Sequence, residues 1–121
     1  MLRYGEPPFL ECSGKGDKRF SAFYARIKAD NNRSIEEIYQ ASKCFADGRT
    51  GLHWKEAKGR RPTNENETLL IYSQLWDWYI LKENQHLLAV LRAATGLSDI
   101  FGQQGHACQA TELWRIRNGP F

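Results

Sequence analysis

A chain of 121 residues with a formal net charge of +3 is sized for one domain and is only mildly basic. Apolar residues make up 41% and aromatic residues 12%, which excludes a disordered chain. No apolar run approaches the roughly 18 residues needed to cross a bilayer, and the opening MLRYGEPPFLEC lacks the apolar core of a signal peptide. The cysteines, Cys12, Cys44 and Cys108, are odd in number and form no CxxC, so a reduced, cytoplasmic setting is expected. With His106 they do not fall at zinc spacing, and no metal is expected. The positive charge suits a polyanionic partner, either a phosphorylated small molecule or nucleic acid.

Residues 1–18 read as irregular, because Pro7-Pro8 and Gly14-Lys15-Gly16-Asp17 interrupt any pattern. In Arg19–Lys28, Phe20, Phe23, Tyr24 and Ile27 recur at helical spacing, although a strand or a packed loop fits as well. Asp30-Asn31-Asn32 is a turn. The best-marked helix follows. Ser34 is an N-cap with Glu37 three residues on, a capping box, and Ile35, Ile38 and Tyr39 make its apolar stripe. Asp47-Gly48 is expected to end it. Residues 49–66 are polar, with a short helical turn at Trp54–Lys58 stopped by Gly59.

Asn64 or Asn66 is expected to cap a long helix to about Leu81, whose Leu69, Tyr72, Leu75, Trp76, Tyr79 and Ile80 form a wide apolar face. Asn84 caps a third helix to about Ala94, stopped by Gly96. Residues 97–107 read as a loop, and a last helix spans about Cys108–Arg117. The expected fold is mainly α with minor β: an irregular segment 1–18 and one compact helical domain over 19–121.

Three groups of residues can carry chemistry. Glu36 and Glu37 point about 100° apart on a helix. Glu37 is taken by the capping box, whereas Glu36, Gln40 and Lys43 form a polar stripe that is either a binding surface or a solvated face. Lys58, Arg60 and Arg61 surround Gly59. Such a cluster holds phosphate, because glycine admits a close backbone approach and guanidinium matches oxyanions, or it is a solvated loop. Asp99 and His106, before the last helix, are candidate general acids or bases. GxxxxGK[ST], GxGxxG and HExxH are absent, and no cofactor is expected.

In order, FSAFY, SIEEIYQASK, AKGR, LRAATGLSDI and a short final helix resemble the NADAR family (NAD- and ADP-ribose-associated), which includes riboflavin-intermediate N-glycosidases. The family shows an FSNF-like start, an S-x-E-x-x-[FY]-Q-A-x-K helix, an A-x-x-x-GR element and a late T-G stretch with an acidic residue. Phe20–Phe23 stand for the first. Ser34, Glu36, Tyr39, Gln40, Ala41 and Lys43 stand for the second, Ala57, Gly59 and Arg60 for the third, and Thr95, Gly96 and Asp99 for the last. The likeness covers about Phe20 to Asn118, and EIYQASK is its specific part. The FSNF asparagine is Ala22 here, and FGQQGHACQA replaces the family's WG and GxG-x-N loop.

The resemblance implies cleavage of an N-glycosidic bond at ribose C1′. It implies a substrate that is an ADP-ribosylated base, free or in nucleic acid, or a phosphorylated ribosylamino-pyrimidine. Glu36 is then the catalytic carboxylate, with Asp99 a second and Lys43 an alternative amine nucleophile. Lys58, Gly59 and Arg60 would hold phosphate, Gln40 would line the site, and Phe23, Tyr24 or Trp76 would stack on the base. Two other readings stand beside it. One is a nucleotide-binding relative without catalysis. The other is a nucleic-acid module using Arg60, Arg61, Arg115 and Arg117.

Overall fold

The computed structural model describes residues 1–119, so the last two residues of the expected 19–121 domain lie outside the described residues. Five strands, β1 (Leu2–Gly5), β2 (Phe9–Glu11), β3 (Arg26–Ile27), β4 (Arg33–Ser34) and β5 (Gly96–Asp99), combine with five helices. The helices are α1 (Ile35–Ala41), α2 (Trp54–Ala57), α3 (Glu65–Asp77), α4 (His86–Ala93) and α5 (Gln109–Asn118). Helix accounts for 43% and strand for 14%, in two small sheets, so the fold is a small α/β domain and the mainly α expectation is corrected.

The correction lies mostly in three short segments. β5 is the centre of a mixed sheet ordered β1-β5-β2, with Leu2 opposite Asp99 in the antiparallel pair and Glu11 beside Ser98 in the parallel one. Residues 1–18, expected to be irregular, thus supply both flanking strands. Pro7-Pro8 is the bend between them. Gly96 opens β5 instead of ending a helix, and Leu97–Asp99 are strand rather than loop. Backbone contact explains the glycine: a Cβ at Gly96 would run into the Glu6 carbonyl and the Phe9 ring. Gly5 (φ +77°) has the same need, its α-carbon facing the Thr95 carbonyl and the Trp114 ring.

The second sheet is a minimal hairpin, β3-β4, closed by Asn31 and Asn32 at φ 51° and 57°, the left-handed conformation that asparagine tolerates in turns. It feeds directly into α1. There Ser34 Oγ accepts from Glu37 N (3.1 Å) and Glu37 Oε1 accepts from Ser34 N (3.3 Å), completing the capping box. The helix stops at Ala41, two turns long; Gly48 (φ +83°) closes a later turn on Phe45 and plays no part in ending it. Lys43 therefore lies past the helix.

At the next helix, Asn64 holds the N-cap position of α3 but its amide ties Cys44 N and Ser42 O instead. α3 runs on as a π-helical turn over Trp78–Glu83. That turn delivers the Glu83 carboxylate to the amides of Lys28 and Ala29 at 2.7 and 2.9 Å, tying it to the hairpin. Asn84 donates to Tyr79 O rather than capping α4. One core joins the layers. Phe20, Ile27, Ile35, Tyr72, Trp76, Ile80, Leu87, Leu91, Leu97, Leu113 and Ile116 are all buried in it.

Candidate active site

α1 presents the unusual face of the molecule. Ile35 is buried, but so are Glu36 and Gln40, at 9% and 4% exposure, while Ile38 and Tyr39 are only half-buried. The polar stripe is therefore an inward-facing one. Lys43, just beyond the helix, is 6% exposed. Charged groups at this depth are rare unless partnered.

Two clefts meet at this stripe. The first, about 500 Å³, is walled by Glu36, Tyr39, Gln40 and Lys43 on one side, by Lys58–Pro62 on another, and by Gly105–Ala107 on a third. The second, about 730 Å³, lies between Ser13–Lys15, Phe23, Tyr24 and Trp54 on one hand and Phe101 and Gly102 on the other. Glu36, Lys58 and Ala107 belong to both, so the clefts form one groove with Glu36 at the junction. Each half is of a size that holds a small organic ligand.

The halves differ in chemistry. The first carries Lys43, Lys58, Arg60, Arg61 and His106 against Glu36 and Glu65. The second has an aromatic rim. Phe23 and Trp54 meet edge to face at 5.8 Å, Tyr24 and Phe101 are exposed, and Lys58 Nζ lies 5.1 Å from the Phe23 ring centre. α2 and its C-terminal Gly59 (φ +79°) turn the Lys58–Arg60 backbone across the groove. Lys43 holds that turn in place by donating to the carbonyls of Arg60 (3.2 Å) and Ala57 (3.4 Å).

Glu36 Oε1 accepts from Gln40 Nε2 at 2.7 Å, and its Oε2 makes no hydrogen bond among the described residues. Burial pushes the Glu36 carboxyl above the usual carboxylate range, against the pull of the Gln40 amide and of the Lys58 and Lys43 charges. Burial likewise lowers the Lys43 ammonium, with Glu36 and Glu65 opposing. Asp99 lies at the floor of the second cleft with both oxygens occupied. Oδ1 accepts from Phe101 N (2.9 Å), and Oδ2 accepts from Gln109 Nε2 and Cys108 Sγ. Gln109 in turn accepts from Ala22 N (3.3 Å), whose residue's carbonyl takes Glu36 N (3.0 Å). Asp99 acts as a strut beneath Glu36.

Of the residues singled out from the sequence, Glu36, Gln40, Lys43, Lys58, Gly59 and Arg60 line the first cleft, and Phe23, Tyr24 and Asp99 the second. Trp76 lines neither. It is fully buried in the core, packed edge-on against Tyr72 and Tyr79, and has no face left for a base. Sequence reasoning placed Tyr39 in the apolar stripe rather than in the site, and did not single out Trp54 or Gln109. Trp54 had a signal, a lone tryptophan in a polar stretch; Gln109 had none. Among the described residues no group of three or more His, Cys, Asp or Glu side chains is gathered as a metal site requires. Arg115 pairs with Asp77 and Glu112, and Arg117 donates to the Leu91 and Ala94 carbonyls, so neither joins Arg60 and Arg61 in a free basic patch. No helix among the described residues is long and apolar enough to cross a membrane. No protein-family model matches the chain, and no curated protein matches its sequence.

Proposed function

We propose that the chain is an N-glycosidase that hydrolyses the bond between a base and ribose C1′, in an ADP-ribosylated base or a phosphorylated ribosylamino-pyrimidine, within the cytoplasm. One observation carries this reading. The carboxylate of Glu36, with Oε2 unbonded, stands where a cationic cleft meets an aromatic one. A nucleotide-like ligand has that sequence of parts: phosphate, sugar, base. With phosphate near Lys58, Arg60 and Arg61, and the base among Phe23, Tyr24 and Trp54, the sugar falls beside Glu36.

The chemistry follows. As the C1′–N bond lengthens, its electron pair moves to the base nitrogen and positive charge develops on the ribose. An ionised Glu36 stabilises that charge and takes a proton from the attacking water, whose oxygen bonds to C1′. The base nitrogen takes up a proton from solvent water as it leaves, and Glu36 returns its own proton to solvent, so that the net change is addition of one water across the C1′–N bond. Lys43, engaged by two carbonyls, holds the phosphate-side turn in this scheme rather than attacking C1′.

Glu36→Gln keeps the size and the Gln40 neighbour but cannot accept the proton. It is expected to reduce hydrolysis of an ADP-ribosylated guanine oligonucleotide, or of a ribosylamino-pyrimidine phosphate, by about 100-fold or more, with an unchanged circular dichroism spectrum. Undiminished turnover would sink the assignment. A second reading, nucleotide binding without cleavage, is favoured by the saturation of Asp99, which leaves Glu36 without a second free carboxylate of the expected pair. Calorimetric binding of ADP-ribose without turnover of either substrate would select it.

A further inference from the structure

Gln40 uses only half of its amide. Its Nε2 donates to Glu36 Oε1 at 2.7 Å, and its Oε1 is buried with no hydrogen-bond partner. The orientation is not free to reverse. An ionised carboxylate offers only acceptors, so with Glu36 ionised, as its role requires, the NH₂ end must face it and the carbonyl end must face away. The residue is buried, at 4% exposure, and lines the first cleft. A buried carbonyl left without a donor is costly, and the polar neighbours on this wall of the cleft are turned elsewhere: Thr68 Oγ1 donates to Glu65 O, and Lys43 Nζ commits two of its three N–H bonds to Ala57 O and Arg60 O.

We propose that Gln40 Oε1 accepts a hydrogen bond from the hydroxyl on the sugar carbon next to the reacting one, so that the site selects ribosyl over 2-deoxyribosyl ligands. The inference rests on the reading of Glu36 as the group beside C1′. Glu36 and Gln40 are one helical turn apart and joined by a hydrogen bond, so the carbonyl lies one amide width from the carboxylate contact. With the carboxylate at C1, the hydroxyl on C2 is the nearest ligand donor. A site built to bond a hydroxyl discriminates strongly against the ligand lacking it, because the protein acceptor is then left unpaired. Gln40 so becomes a specificity-determining residue that also orients Glu36.

The test uses two simple probes, ribose 5-phosphate and 2-deoxyribose 5-phosphate, with the intact protein. Calorimetry is expected to give about tenfold or greater preference for the ribose form. In the Gln40→Met variant the two sugars should bind alike. As a measurement that needs no variant, the Gln40 side-chain amide resonances should shift with ribose 5-phosphate and stay in place with the deoxy form. Equal binding of both sugars by the wild-type protein would overturn the inference while leaving the groove as a sugar-phosphate site. A preference that survives in a folded Gln40→Met variant would overturn it too. Binding of neither sugar would overturn the reading of the groove, and this inference with it.

Discussion

At the scale of single residues, the site depends on keeping one carboxylate dry. Glu36 holds its proton to higher pH in the folded protein than in the unfolded chain, because burial disfavours the charge. The folded state then binds more protons than the unfolded one as pH rises from the ordinary Glu value near 4.5 to the raised one, so this residue's contribution to stability falls over that window. Below the window there is no penalty, and above it the penalty is complete. Glu36→Gln has nothing to titrate. Its stability relative to wild type, from urea unfolding, should therefore be greater at about pH 7 than at about pH 4. An offset that stays constant between the two would show that burial does not burden this carboxyl. Glu36 was legible in the sequence because it shares a helical face with Gln40 and the segment resembles a known motif. Its burial was not legible, since a polar stripe beside an apolar one reads equally as a wet surface.

At the scale of elements, α1 has only two turns and depends on its first for definition. Ser34→Ala removes the bond to Glu37 N and is expected to cost about 1 kcal/mol, measured by urea unfolding with the slope unchanged. A loss under a few tenths would mean that the hairpin and core alone hold the helix entry. The capping box was legible, because it is a local pattern of two side chains. The end of α1 at Ala41 was not. The chain leaves the helix there to deliver Lys43 to the Ala57 and Arg60 carbonyls and Cys44 N to Asn64, and these contacts span 14 to 20 residues. The π-helical turn escaped for a related reason. Its advantage lies in the Glu83 bonds to Lys28 and Ala29, which no local periodicity reveals.

At the scale of the molecule, the mixed sheet joins the chain's first residues to β5. Glu11 reinforces the junction. Its carboxylate accepts from Ser98 Oγ (2.7 Å), Ser13 N (3.0 Å) and Ile100 N (3.1 Å). Removing residues 1–11 would strip both neighbours from the buried strand Gly96–Asp99. The shortened protein is expected to lose cooperative unfolding and amide dispersion in its NMR spectrum, and a peptide of residues 1–11 added in trans should restore them. Retained dispersion without the peptide would show that the helices and the hairpin fold alone. Strands of three or four residues are too short to show alternation, and Gly96 after a helical run looks like a stop signal. The helices were thus legible and the main sheet was not.

The placement of β5 also sets a schedule. Glu11 must wait for Ser98, 87 positions later, before its strand has anything to bond. At about 5–20 residues per second, a ribosome takes roughly 4–17 s to supply that partner. Throughout this interval Leu2, Tyr4 and Leu10 lack the strand that seats them against the core, while the β3-β4 hairpin and α1 are already synthesised. The strands β1 and β2 are made before the hairpin and α1 but settle after them. A nascent chain arrested before Gly96 should present the two strands to chaperones that bind exposed apolar segments, and one arrested well beyond Asp99 should not.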